Sequence, residues 1–166
     1  AAGDPIRFIL WKVFAKTREL VIRTPERALS HARRTAVYMV AGAADEPSAG
    51  AARMAVDYGA FGGEWVLGAD GSSEVARSKD ARAKELALEL LARSAHVSDA
   101  LAGAGLATFL KTVATGGMGR IVVFVPPRPG PWLNRVVEAA RGRSRASVQF
   151  VVGIDGQGDV DRLAAR

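Results

Sequence analysis

The chain has 166 residues, 49% of them hydrophobic and 24% charged, with a net charge of +6 at pH 7. This length predicts one domain over residues 1–166 with a core of its own. The absence of cysteine excludes disulfides, thiolate metal sites and cysteine nucleophiles. No apolar stretch approaches the roughly 20 residues of a membrane-spanning helix, and no signal peptide is recognisable, so the sequence predicts a cytoplasmic protein.

The first predicted element is a basic amphipathic helix from Pro5 to Arg23. Phe8 and Trp11 widen its apolar stripe beyond what one contact face needs, and they are candidate docking residues. The helix is expected to cover the sheet or an open edge, to dock on a protein partner or a second copy, or to lie in a membrane interface. A short helix capped by Thr24 is predicted to follow, up to about Arg34.

The next unit is a strand from Thr35 to Ala41, a loop, and a helix from Ala51 to Tyr58. This order resembles the opening unit of dinucleotide-binding Rossmann folds, in which loop amides and a helix N-terminus hold a pyrophosphate. The spacing of Gly42 and Gly50 departs from the G-x-G-x-x-G pattern of that unit. An ordinary connecting loop is therefore the favoured interpretation.

Residues 61–78 predict a β-hairpin with Asp70 at or near its turn, running antiparallel to the other strands. Asp70, Glu74 and Lys79 do not have the spacing of a nuclease metal site, so turn formation and a solvated edge explain them better. Ser78 is then expected to cap one helix and Ser98 the next.

The most informative stretch runs from Gly119 to Arg143. It predicts a buried strand over residues 121–125, a proline-rich loop, and an amphipathic helix that begins at Pro131. A second strand and loop follow over residues 147–153. Consecutive strand–loop–helix units predict an α/β fold, namely a Rossmann-like three-layer sandwich. Its sheet is mostly parallel, with the β-hairpin at its edge and the N-terminal amphipathic helix added to it.

In a parallel sheet the loops that follow the strands gather at the carboxyl edge, where open α/β sheets usually bind ligands. Candidate small-molecule residues at this edge are Ser48, Arg128, Asp155 and Asp159. Arg128 could engage an anion, and the two aspartates could bind hydroxyl groups or a hard cation. Turn formation and favourable charge at helix termini are the favoured explanation of the acidic residues. Ser48 also has no evident His and Asp partners for nucleophilic catalysis.

The residues that precede the strands gather at the amino edge, and many of them are arginines. We call this set the arginine edge: Arg33, Arg34, Arg120, Arg141, Arg143 and Arg145. Such a cluster predicts binding of DNA, RNA or another phosphate-bearing partner, although there is little aromatic interleaving for base stacking and no recognisable reader motif. A solvated basic rim is the alternative.

Three functions therefore follow from the sequence. The first is a non-catalytic binding or assembly module that takes an anionic partner, nucleic acid or another polyanion, at the arginine edge. The second is an enzyme or sensor for a nucleotide-like small molecule at the carboxyl edge. The third is a subunit that docks through its N-terminal helix on a protein, a second copy or a membrane surface. No motif identifies a cofactor, a metal site or a catalytic residue, so the sequence leaves open whether the protein is an enzyme.

Overall fold

The computed structural model describes residues 34–114, 117–141 and 146–153. The five strands of this part are β1 (Thr35–Met39), β2 (Trp65–Ala69), β3 (Ala76–Arg77), β4 (Arg120–Val125) and β5 (Ser147–Val152). The four α-helices of the same part are α1 (Glu46–Asp57), α2 (Ala83–Ser94), α3 (Leu106–Ala114) and α4 (Trp132–Ala140). A 3₁₀ turn at Asp99–Leu101 precedes α3.

Several predictions concern residues outside the described part, and they stay predictions. They are the N-terminal helix with Phe8 and Trp11, the short helix after it, Arg33, Arg143, Arg145, Asp155 and Asp159.

The strands form one sheet in the order β3-β2-β1-β4-β5. The pairs β2/β1, β1/β4 and β4/β5 are parallel, and only β3 is antiparallel to its neighbour. The predicted α/β fold with a mostly parallel sheet is thus confirmed. β1 and β4 lie at the centre, and after their first residues, Thr35 and Arg120, they consist of apolar and aromatic residues, as expected for strands covered on both sides.

Alternate residues of the central strands supply two hydrophobic clusters, one on each face of the sheet. Val37 and Phe124 belong to the cluster that α1 and α2 cover. Tyr38 and Val123 belong to the cluster that α3 and α4 cover. Helices therefore pack on both faces, and the period of two residues along each strand decides which side chain meets which helix.

The order in which strands are added to the sheet reverses between β1 and β4, although the two strands are parallel. β1 connects through α1 to β2 on one side, whereas β4 connects through α4 to β5 on the other. The crevice at such a reversal is the usual ligand site of open α/β sheets. Here the backbone at Gly42 closes on the loop after β4, because a Cβ atom at Gly42 would lie 2.7 Å from Cγ of Pro126.

Three predicted details are wrong. β2 runs parallel to β1, so the hairpin as a whole is not antiparallel to the sheet. α1 begins at Glu46 rather than Ala51, because Pro47 lies in the first turn, where its missing N–H costs nothing. Ser78 does not cap α2, which begins at Ala83; its hydroxyl accepts a hydrogen bond from the N–H of Trp65 instead.

None of the described helices combines the length and the apolarity that crossing a bilayer requires.

Candidate functional site at the amino edge of the sheet

Register brings the amino ends of the strands together. Thr35 of β1 pairs with Arg120 of β4, and Arg120 pairs with Ser147 of β5. Trp65 of β2 pairs with Thr35 on the other side. Arg34, immediately before β1, and Arg120 therefore lie at neighbouring strand ends, which is the arrangement that a parallel sheet predicts.

Arg34 belongs to a cluster of charges at this edge. Its Nε atom lies 2.6 Å from one carboxylate oxygen of Glu64, and Nζ of Lys79 lies 2.9 Å from the other. Lys79 and Arg34 lower the pKa of Glu64 through these hydrogen bonds. Glu64 is therefore ionised at neutral pH and holds two cationic side chains side by side.

A groove opens beside this cluster, between the β2–β3 hairpin and the C-terminal half of α3. We call it the hairpin groove, and its volume is about 370 Å³. It is lined by Arg34, Glu64, Trp65, Val66, Arg77, Ser78, Lys79, Asp80, Thr112, Val113 and Met118. Arg77 and Lys79 reach this edge because the antiparallel β3 ends where β2 begins, with Arg77 opposite Val66.

Arg120 points to the other face of the sheet. It shares the alternation of Val122 and Phe124, which pack against α1 and α2. Its Nε and Nη2 atoms donate hydrogen bonds of 3.1 and 3.0 Å to Oε1 of Gln149 on β5. Burial lowers the pKa of Arg120, and none of the described carboxylates forms an ion pair with it. A fixed, partly desolvated cation of this kind favours an anionic partner.

Arg141, directly after α4, is exposed and pairs with Glu138 at 2.8 Å. Of the arginine edge, the structure therefore describes Arg34, Arg120 and Arg141. It places the first two at adjacent strand ends on opposite faces of the sheet, and the third where the chain leaves α4 toward β5.

The carboxyl edge is built differently. Ser48 is fully buried in the first turn of α1, where its hydroxyl donates to the carbonyl of Val125 at 2.6 Å and accepts from the N–H of Gly153 at 2.9 Å. These bonds tie the start of α1 to the ends of β4 and β5, which is a structural role for the hydroxyl. Arg128 is exposed in the proline loop, and its carbonyl accepts the indole N–H of Trp132 at 3.0 Å.

Asp45, just before α1, accepts a hydrogen bond from the N–H of Gly42 at 3.1 Å. Burial raises the pKa of Asp45, an effect that the bond from Gly42 opposes and the nearby Glu46 reinforces. Within the described ranges, no three His, Asp or Glu side chains converge into a group that could hold a metal ion.

Sequence reasoning missed two features. Asp70 is buried rather than solvated, and its carboxyl group bonds to Tyr38 and to three backbone N–H groups. Arg77 and Lys79 line the hairpin groove, whereas the sequence places Lys79 on a solvated edge and gives no role to Arg77. The signal that points to the groove is the run Arg77-Ser78-Lys79, once β2 is known to be parallel to β1.

Comparisons with protein-family models, with curated proteins and with solved structures find no match to this chain.

Proposed function

We propose that the protein is a non-catalytic binding or assembly module that takes an anionic partner, such as nucleic acid or a phosphate-bearing ligand, at the arginine edge. The observation that carries the proposal is the register of the parallel strands, which sets Arg34 and Arg120 at adjacent strand ends. The net charge of +6 adds long-range attraction for a polyanion. The proposal includes a Rossmann-like three-layer sandwich with the N-terminal amphipathic helix as an added element.

The arginines of this edge can exchange their present carboxylate partners for a phosphate. Arg34 and Arg141 pair with carboxylates on the surface, and exposed ion pairs of this kind contribute little to the stability of a fold. A phosphate can therefore replace Glu64 or Glu138 at little cost. Arg120 has no ion pair to break within the described part, and Gln149 already fixes its orientation.

The test is fluorescence anisotropy of labelled single- and double-stranded DNA and RNA, titrated with the full chain across a salt series. We expect binding whose logarithm falls linearly with the logarithm of salt concentration. The double variant Arg34→Gln/Arg141→Gln should reduce that slope by about 0.7–0.9 for each phosphate that the protein no longer neutralises. Arg53→Gln/Arg128→Gln removes the same charge from α1 and the carboxyl edge, and it should leave the slope unchanged.

Absence of binding at low salt would reject the proposal. An equal effect of both double variants would also count against it, because the attraction would then depend on net charge and not on the arginine edge. Arg120→Gln is measured separately, together with its unfolding curve, since this side chain is partly buried.

A further inference from the structure

The hairpin groove has the size of a small-molecule site. Its volume of about 370 Å³ lies within the range of roughly 300–1,000 Å³ that is usual for such pockets. It lies at the amino ends of β1 and β2. The crevice where α/β proteins usually bind ligands is at the other edge, beyond the carboxyl ends of the strands. The sheet and α3 together give it walls of regular secondary structure.

One part of the groove is apolar. Val66 and Val113 are nearly completely buried beneath it, and Met118 is half-buried at its side. Met is a flexible side chain that adapts to the shape of a bound group. This part favours an alkyl or aryl group, because water in contact with such a surface gains few hydrogen bonds.

The other part is cationic and rich in donors. Arg77 is exposed and forms no ion pair with any carboxylate of the described ranges. The hydroxyl oxygen of Ser78 accepts the N–H of Trp65, which leaves the hydroxyl proton of Ser78 free to be donated. Arg77 and Ser78 both line the groove, and a guanidinium and a hydroxyl can each donate a hydrogen bond to a carboxylate.

The charged side chains of the lining favour a ligand with a single negative charge. Three cationic side chains, those of Arg34, Arg77 and Lys79, line the groove together with two carboxylates, those of Glu64 and Asp80. Glu64 is ionised because its two cationic neighbours lower its pKa. The balance is one positive charge, which a carboxylate neutralises. A phosphate monoester carries a charge of about −1.5 to −2, which exceeds this balance.

We propose that the hairpin groove binds a small monocarboxylate with an apolar or aromatic body. The carboxylate pairs with Arg77 and accepts the hydroxyl proton of Ser78, and the apolar body lies on Val66, Val113 and Met118. This site shares Arg34 and its ion-pair partner Glu64 with the polyanion surface proposed above. The groove variants below change neither of these two residues, so that each proposal stands or fails on its own.

The experiment is a titration of the full ¹⁵N-labelled chain with phenylacetate, followed by amide chemical shifts. We expect saturable shifts that include Val66, Ser78 and Met118, and weaker binding of acetate, which lacks the aromatic body. The uncharged amide, phenylacetamide, should bind at least about tenfold more weakly, because it cannot pair with a guanidinium. Phenyl phosphate should also bind more weakly than phenylacetate.

Variants separate the two halves of the groove. Arg77→Gln should weaken phenylacetate about tenfold, and Met118→Ala should weaken phenylacetate without changing the affinity for acetate. Arg53→Gln, an exposed arginine of α1, should change neither affinity. Thermal unfolding of each variant shows whether it is folded. Neither groove variant should change the salt slope of DNA binding.

Three results would overturn the proposal. They are the absence of a saturable shift up to about 10 mM phenylacetate, equal affinity for phenylacetamide, and tighter binding of phenyl phosphate than of phenylacetate. The first means that the groove does not bind the ligand, the second leaves no role for the carboxylate, and the third contradicts the charge balance of the lining. A failure of the DNA measurement alone would leave the groove proposal unaffected.

Discussion

The carboxyl group of Asp70 joins segments that are far apart in the sequence. One oxygen accepts the hydroxyl of Tyr38 at 2.7 Å and the N–H of Gly105 at 3.4 Å. The other accepts the N–H groups of Ala41 at 2.9 Å and Gly103 at 2.6 Å. The end of β1 and the segment before α3 are thus held by one side chain that is 2% exposed.

Asp70→Asn should destabilise the protein by about 3 kcal/mol. The asparagine side chain has one oxygen and one NH₂ group in place of the two carboxylate oxygens. The NH₂ group therefore faces two of the donors that bond to Asp70, and those buried donors lose their acceptor. Chemical denaturation of the variant measures the free energy of unfolding. Asp80→Asn alters an exposed aspartate in the same way, and it should cost less than about 0.5 kcal/mol. Similar losses for the two variants would show that Asp70 is not the connecting group.

Tyr38 should make the protein lose stability at alkaline pH. Burial raises the pKa of Tyr38 above its usual value of about 10, and the charge and hydrogen bond of Asp70 raise it further. The contribution of the protonated Tyr38 hydroxyl to stability is fully present below pH 10. Above pH 10 the unfolded chain releases the proton first, so the stability falls by up to about 1.4 kcal/mol per pH unit.

Tyr38→Phe should therefore flatten the fall in unfolding free energy between about pH 10 and 12, although it lowers the stability at pH 7 by about 1 kcal/mol. The chain has one other tyrosine, Tyr58, which is 75% exposed. Tyr58→Phe is the matched control, and its stability should fall with pH as steeply as that of the unaltered chain. An unchanged slope in Tyr38→Phe would contradict the prediction.

At the scale of elements, the packing of α3 on the sheet depends on a glycine of β2, which leaves room for an aromatic side chain of α3. Gly68 lies in the middle of β2, and a Cβ atom there would come within 2.6 Å of the Phe109 ring. That ring also lies 5.1 Å from the ring of Tyr38, centre to centre. Gly68 thus allows an aromatic side chain of α3 to approach the backbone of β2 closely while it contacts Tyr38 of β1.

Gly68→Ala should destabilise the protein by about 1–3 kcal/mol, because neither the strand nor the buried Phe109 can move away without loss of packing. Phe109→Leu shortens the facing side chain and makes room for the added methyl group. The double variant should then lose less stability than the sum of the two single variants, with a coupling of about 1 kcal/mol. Simple additivity in this double-mutant cycle would show that the two positions do not compete for the same space.

The elements that the sequence predicted best are those with a clear apolar pattern. β1, β4 and β5 and the helix after β4 lie close to their predicted bounds. β1 and β4 are buried between two layers and therefore need apolar residues on both sides, whereas the helix after β4 shows the spacing of one apolar face. The start of α1 was missed since the run from Glu46 to Gly50 is typical of a loop, and only Pro47 indicates a first helical turn. Single residues that bridge distant segments, such as Asp70 and Ser48, leave no local pattern at all.

The orientation of the hairpin decided how much of the candidate site could be predicted. The amino-edge positions of Arg34 and Arg120 follow once the strands are taken as parallel. A hairpin antiparallel to the sheet would have put the start of β2 at the carboxyl edge, far from Arg34. Because β2 is parallel to β1, its start and the end of β3 meet Arg34 and form the hairpin groove. Strand direction depends on tertiary packing, which local sequence patterns do not contain.

At the scale of the whole molecule, the sheet should unfold from its edge inward. β1 and β4 are central and almost completely buried, and each is bonded to a strand on both sides. β3 pairs with β2 over two rows only. The amides of β1 and β4 should therefore exchange hydrogen only through global unfolding, whereas those of β3 should exchange through a local opening of lower free energy.

Native-state hydrogen exchange checks this order, and Asp70→Asn makes the test specific. In the variant, the slowest amides of β1 and β4 should lose the same free energy that denaturation measures, because their exchange needs the whole fold to open. The amides of β3 should change less, since a local opening does not break the bonds of Asp70. Equal losses at β3 would mean that the hairpin opens only with the rest of the sheet. If the exchange free energy of the β1 amides fell by less than the free energy of unfolding, the central strands would open without breaking the Asp70 connection.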